Sequence, residues 1–219
     1  MSKNSRNIAG ILSVATVLAA AGMASADPVI QDLGGGWQVT IFDPANVQIE
    51  VNNSGSIFQD GQLVITKRAT VNSLTDEGVP TPIVLVFQQI APDAVTIPRI
   101  AITEEVINNQ TGQLWTAYRQ VLAQSSRATF NQALSAGFSI DPYLFANYNV
   151  FSDSVLYSGG TGVPSGGTFN PGFTAGELVI DIDLSAAPVL FALKEIPIPT
   201  PGTVGLMALA GIAAARRRR

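Results

Sequence analysis

Carboxylates carry most of the acid–base chemistry this chain can offer, because its 219 residues include no histidine and no cysteine. Without an imidazole to take and return a proton near neutral pH, a histidine-assisted nucleophile is excluded. Thiol catalysis and disulfides fall with it, and a zinc site would have to use carboxylates alone, which is uncommon. The adjacent glutamates Glu104 and Glu105 are the first pair to weigh, since glycosidases work with two carboxylates. Residues 100–106 alternate apolar and polar with a period of two, which predicts a strand, and neighbours on a strand point to opposite faces. The two glutamates are therefore not expected to flank one bond; one is read as solvated and the other as facing an edge.

Asp181 and Asp183 are better placed, because residues i and i+2 share a strand face. Two carboxylates there could start a calcium site, with further oxygens from a loop such as Ser152-Asp153-Ser154, although calcium needs more oxygens and the polar outer face of a strand is the commoner reason for such a pair. Tyr143, Phe145, Tyr148, Phe151 and Tyr157 cluster ahead of a glycine-rich stretch, and such rings stack on sugars or, more commonly, fill a core. Gly159-Gly160-Thr161-Gly162 lacks the lysine and following helix of a phosphate-binding loop and reads as flexible. Asn109-Gln110-Thr111 fits a glycosylation acceptor by pattern only. From these residues no catalytic site, cofactor or metal is expected, and the chain is not read as an enzyme.

The elements that must position these residues are strands. Residues 37–41, 47–51 and 178–184 alternate, while 63–66 and 83–87 are short continuous apolar runs suited to central strands. Turn signals lie between them at 52–55, 60–61, 76–78, 108–112 and in the Gly/Ser-rich stretch 158–172. Spacing near ten residues predicts an all-β fold, an antiparallel β-sandwich of jelly-roll-like or immunoglobulin-like type. Residues 116–136 dissent: Tyr118, Val121, Leu122, Phe130 and Leu134 occur with few breakers and permit a helix, placed at 128–136.

Both ends read as targeting segments. Lys3 and Arg6 precede an apolar run over 8–20, and Ala24-Ser25-Ala26 matches a small-x-small cleavage site, which predicts a signal peptide over 1–26 cut before Asp27. At the other end a proline-rich spacer, 196–202, leads to an apolar run over 203–215 that contains Thr203, Leu206, Leu209 and Ile212. Four arginines follow, Arg216, Arg217, Arg218 and Arg219. The run is shorter than the ~20 residues of a spanning helix, so it suits a transient anchor, with the arginines resisting translocation. The folded domain is then expected over 27–195, with a short hydrophobic helix in the 196–219 tail. Removing both ends leaves six basic residues against all sixteen acidic ones, a net charge of −10 where the whole chain has −4. Such a body repels phosphate backbones, and nucleic-acid binding is not expected.

The tail resembles a PEP-CTERM sorting signal, the type processed by exosortases in bacteria that make exopolysaccharide. The likeness rests on Pro199-Thr200-Pro201-Gly202, the apolar run and the arginine cluster, with Thr200 standing where the type pattern has glutamate. Residues 103–118, a strand, an Asn-Asn-Gln-Thr-Gly turn and then Trp115-Thr116-Ala117-Tyr118, are similar to a segment of PEP-CTERM exported proteins, and Trp115 is expected to bury against the facing sheet. The resemblance implies Sec-type export, signal peptidase, an exosortase-like enzyme, exopolysaccharide and the membrane as partners. It implies localisation in the envelope or extracellular matrix and a structural or adhesive role, with carbohydrate binding as the alternative.

Overall fold

The structure, a computed structural model, describes residues 27–52, 61–123, 126–186 and 188–200. The proposed signal peptide with Ala24 and Ala26, and the tail residues Pro201, Gly202, Thr203, Leu206, Leu209, Ile212 and Arg216 to Arg219, lie outside the described residues. Among the described residues no helix is long and apolar enough to cross a membrane.

Thirteen strands are described: β1 (Val29–Gly34), β2 (Trp37–Ile41), β3 (Val47–Val51), β4 (Leu63–Val71), β5 (Ile83–Gln89), β6 (Arg99–Asn109), β7 (Trp115–Ala123), β8 (Ala128–Phe130), β9 (Asn147–Val150), β10 (Ser154–Val163), β11 (Thr168–Phe169), β12 (Leu178–Ile182) and β13 (Leu190–Pro199). They form two sheets packed as a β-sandwich, in the orders β1-β2-β5-β13-β7-β10-β9 and β3-β4-β6-β12-β8, with β11 beside β6. The pairs are antiparallel except β4 and β6, which run parallel. The expected strands at 37–41, 47–51, 63–66, 83–87 and 100–106 are present, and the one expected at 178–184 runs from Leu178 to Ile182, two residues shorter.

The core lies between the sheets and alternation fills it. Leu63, Ile65, Ala69 and Val71 of β4 face Leu85 and Phe87 of β5 and Phe191 and Leu193 of β13 in one buried cluster. Phe87 stacks on Phe191 at 5.0 Å, and Trp37 meets Phe191 edge-on. A second group joins Trp115, Tyr118, Tyr157, Phe145 and Phe169. The continuous run in β5 has its own cause: Val84 and Val86 point to the outer face and are covered by Phe42, Ala123 and Leu190.

Three expectations are corrected. Residues 116–123 are strand and not helix. Tyr118 and Leu122 are four apart, which satisfies a helical period, but Gln120 between them also points inward, and a polar residue at a core position hid the alternation. Helix is confined here to one turn, α1 (Gln132–Ser135), capped by the Asn131 side chain accepting from the Leu134 amide. The stretch 158–172 is built and not loose, because β10 runs on through Val163 and β11 follows. The proline spacer is also sheet as far as Pro199: Pro197 pairs with Tyr118 of β7, while pairing to β5 ends at Glu195. Beyond Glu195 that edge of β13 has no β5 partner, so prolines are tolerated there. In addition, the 108–112 turn joins β6 of one sheet to β7 of the other, an arch rather than a hairpin.

Glycine makes the β10 continuation possible. Gly159, Gly160 and Gly162 have φ near +70°, and the register to β7 shifts between Ser158 and Val163. A Cβ on Gly162 would sit 2.3 Å from the Trp115 carbonyl oxygen, whereas one on Gly166, at φ +80°, meets nothing. Gly162→Ala is therefore expected to destabilise the domain by about 3 kcal/mol or more and Gly166→Ala by about 1 kcal/mol, measured by urea unfolding. Equal effects would refute the close-approach account.

Candidate functional site

Alternation carries one lysine and two glutamates to places where apolar side chains are the rule. Along β4 the inward positions are Leu63, Ile65, Lys67, Ala69 and Val71, and along β13 they include Phe191, Leu193, Glu195 and Pro197. In β6 the parity changes: Ile100 and Ile102 face the core, then a register shift against β4 at Ile65/Thr66 turns Glu105, Ile107 and Asn109 inward. Glu105 and Lys67 are cross-strand partners within one sheet. Glu195 reaches them from the other sheet, with Gln120 as its cross-strand partner on β7.

The result is a charged cluster with no exposed side chain. The Lys67 ammonium contacts Glu195 Oε1 and lies 3.4 Å from Glu105 Oε2. Gln120 donates through Nε2 to both Glu105 oxygens, at 2.8 and 3.0 Å, and to Glu195 Oε1 at 3.3 Å. Its Oε1 accepts from the Tyr157 hydroxyl at 3.0 Å, and the Tyr118 hydroxyl donates to Glu195 Oε2 at 2.7 Å. The rings of Tyr118 and Tyr157 pack on Phe169 at 5.6 and 5.1 Å and wall the cluster off.

One cation faces two carboxylates here, and the protonation follows from that imbalance. Burial alone would push the Lys67 ammonium down, but Glu105 and Glu195 outweigh it and hold it above its ordinary range. Burial pushes Glu105 from 4.5 up to about 7; the charge of Glu195 adds to the rise, and Lys67 and the Gln120 amide oppose it. The hydroxyls of Tyr118 and Tyr157 are pushed well up, first by burial and then by the carboxylates, so both stay protonated donors. Near neutral pH, then, Glu105 both holds and releases a proton beside the Lys67 ammonium and a second carboxyl group.

The residues singled out from sequence fare differently. Glu104 and Glu105 do take opposite faces, but Glu105 is fully buried in the core rather than solvated or at an edge. Asp181 is engaged by Arg99 Nε at 2.7 Å and by Asn131 Nδ2 at 2.6 Å, and Asp183 lies beyond β12, accepting from the Ser185 amide. Among the described residues no group of three or more acidic side chains is gathered to hold a metal. Of the aromatic residues, Phe145 and Tyr157 are core, while Tyr143 and Phe151 are exposed. Asn109 is buried, its amide spent on the carbonyls of Gln113 and Val163, so it offers no acceptor for a glycan. Trp115 is buried as expected and its indole donates to Thr111. A cleft of about 30 Å³ lined by Phe42, Asp43, Thr70, Asn72 and Ile83 contains none of the cluster residues. Sequence reasoning missed Lys67, Gln120 and Glu195; the signal was there in a polar residue at the inward parity of an otherwise apolar strand face. No protein family, curated protein or solved structure matches the chain.

The Glu105 shift fixes a sign. Its folded value of about 7 lies above the ordinary 4.5, so the stability it contributes is complete below 4.5 and is lost as pH rises through about 7. With Lys67 replaced by arginine, which keeps the positive charge beside Glu105, the unfolding free energy of the protein minus that of the same protein carrying Glu105→Gln should fall by roughly 3 kcal/mol across that window, in urea titrations at a series of pH values. A difference that rises with pH or stays flat would contradict the assignment.

Proposed function

We propose that this is an exported structural or adhesive domain of the bacterial envelope or extracellular matrix, delivered by a cleaved signal peptide and an exosortase-type sorting tail. The observation that carries the proposal is where the polar chemistry lies. Lys67, Glu105, Gln120 and Glu195 are sealed between the sheets with no exposure, so these groups serve the join between the sheets and meet no substrate. The outside is strongly acidic, which keeps an exported domain soluble and off anionic surfaces. Strand β13 bears on the tail reading: Pro199 is its last residue and Thr200 is still tied to the sheet through its amide to the Leu114 carbonyl at 2.9 Å, so the first two residues of the proposed sorting motif belong to the folded domain.

A second reading, binding of neutral sugars, is favoured by two rings. Tyr143 and Phe173 are 71% and 67% exposed, and they stand on loops laced together by Ser139, which receives the amides of Thr174 and Ala175 on its hydroxyl. Exposed rings of this kind stack on sugar faces.

The test is intact mass and cell fractionation of the native protein. Loss of residues 1–26 and of the arginine tail, with the protein in the envelope or matrix, is the expected result. A full-length product in the cytoplasm overturns the proposal. Retention on exopolysaccharide that Tyr143→Ala and Phe173→Ala abolish would move the function to the second reading.

A further inference from the structure

We propose that Lys67 and Glu195 become joined by an amide bond within the folded chain, a covalent strut between the two sheets. The inference stands on the cluster's geometry and does not depend on export. Lys67 comes from β4 and Glu195 from β13, strands of opposite sheets, and the lysine nitrogen contacts the Glu195 carboxyl. Around that contact stand the groups a condensation requires.

The first is a proton carrier. Glu105 lies 3.4 Å from the Lys67 nitrogen, and its pKa of about 7 lets it accept a proton and return it. The carrier is needed because the two carboxylates hold Lys67 as an ammonium. The second is a pair of donors on the reacting carboxyl: Gln120 Nε2 on Oε1 at 3.3 Å and the Tyr118 hydroxyl on Oε2 at 2.7 Å, where charge develops as the carbonyl carbon turns tetrahedral. The third is exclusion of water, since all four polar residues are buried, so the expelled water does not return to reverse the step. Holding the partners together replaces an encounter in solution, worth effective concentrations on the order of 10⁵ M or more.

The step balances without any further reactant. One proton passes from the Lys67 ammonium through Glu105 to a Glu195 oxygen, leaving an amine beside a carboxylic acid. The amine nitrogen forms a bond to Cδ of Glu195; a second proton leaves the nitrogen by the same route, the C–O bond breaks, and water departs. Nothing is oxidised or reduced, and a buried ion pair, whose desolvation its own attraction barely offsets, becomes a neutral amide. Glu195 is the partner and not Glu105, because the Lys67 nitrogen contacts the Glu195 carboxyl and stands 3.4 Å from Glu105.

Mass spectrometry of the purified, folded full chain after tryptic digestion tests this. The expected result is no cleavage after Lys67 and a branched peptide joining Lys67 to Glu195, lighter than the sum of its parts by one water. Glu105→Gln should fold and lose the link, and Lys67→Arg should lose it entirely. Wild-type protein that melts cooperatively yet yields both peptides separately overturns the proposal. A link lighter by one ammonia would place the bond on Gln120 and overturn the assignment to Glu195, and a full yield of link in Glu105→Gln would overturn the role given to Glu105.

Discussion

The fold turns on a lysine and two glutamates enclosed with no exposure between two sheets. Such a cluster is stable only if each group finds its partners, because a buried charge left alone costs several kcal/mol. Every group of the cluster therefore constrains the strand that bears it. Lys67 fixes β4 against β6 through Glu105 and against the opposite sheet through Glu195; Gln120 and Tyr118 fix β7 against both carboxylates; Tyr157 ties β10 to β7. A slip of one residue in any of these strands would exchange inner for outer faces and leave a charge unpaired. The cluster thus specifies register where a purely apolar core would tolerate alternatives.

Local irregularities serve that constraint. The register shift in β6 after Ile102 changes which residues face inward and delivers Glu105. The shift in β10 after Ser158, made from left-handed glycines, lets the chain pass tightly over Trp115 before returning to pair at Val163. The arch from β6 to β7 is held by the Asn109 side chain, whose oxygen receives the Thr111 amide and hydroxyl while its nitrogen spans to β10. With so few charges in the core available for pairing, each such device acts on one small region of the sandwich.

Strands β2 to β6 and β12 are legible because they alternate with one apolar face or form short apolar runs, and the sandwich follows from their spacing, whereas β1, β9, β10 and β13 carry no such pattern that sequence reading picks out. The cluster was not legible for the same reason that it matters. Lys67, Gln120 and Glu195 break the apolar pattern at inward positions, so a search for periodicity ends the strand at Thr66, reads 116–123 as helix-compatible and takes Ile196 onward as spacer. Glu105 was visible as a residue, but its face depends on a register shift that no single sequence position announces. The glycines at 159–162 read as loose because glycine marks both flexible loops and tight backbone approaches, and the neighbouring Leu144 and Trp115 carbonyls distinguish the two.

Pulling the full chain by Asp27 and Thr200 in a single-molecule force experiment tests the join most directly. The account predicts that extension stops at the length of the segment before Lys67 together with the few residues after Glu195, because the strut carries the load past everything between them. Extension to the full length of the chain between the two handles would show that no covalent join spans the sheets and would contradict the account.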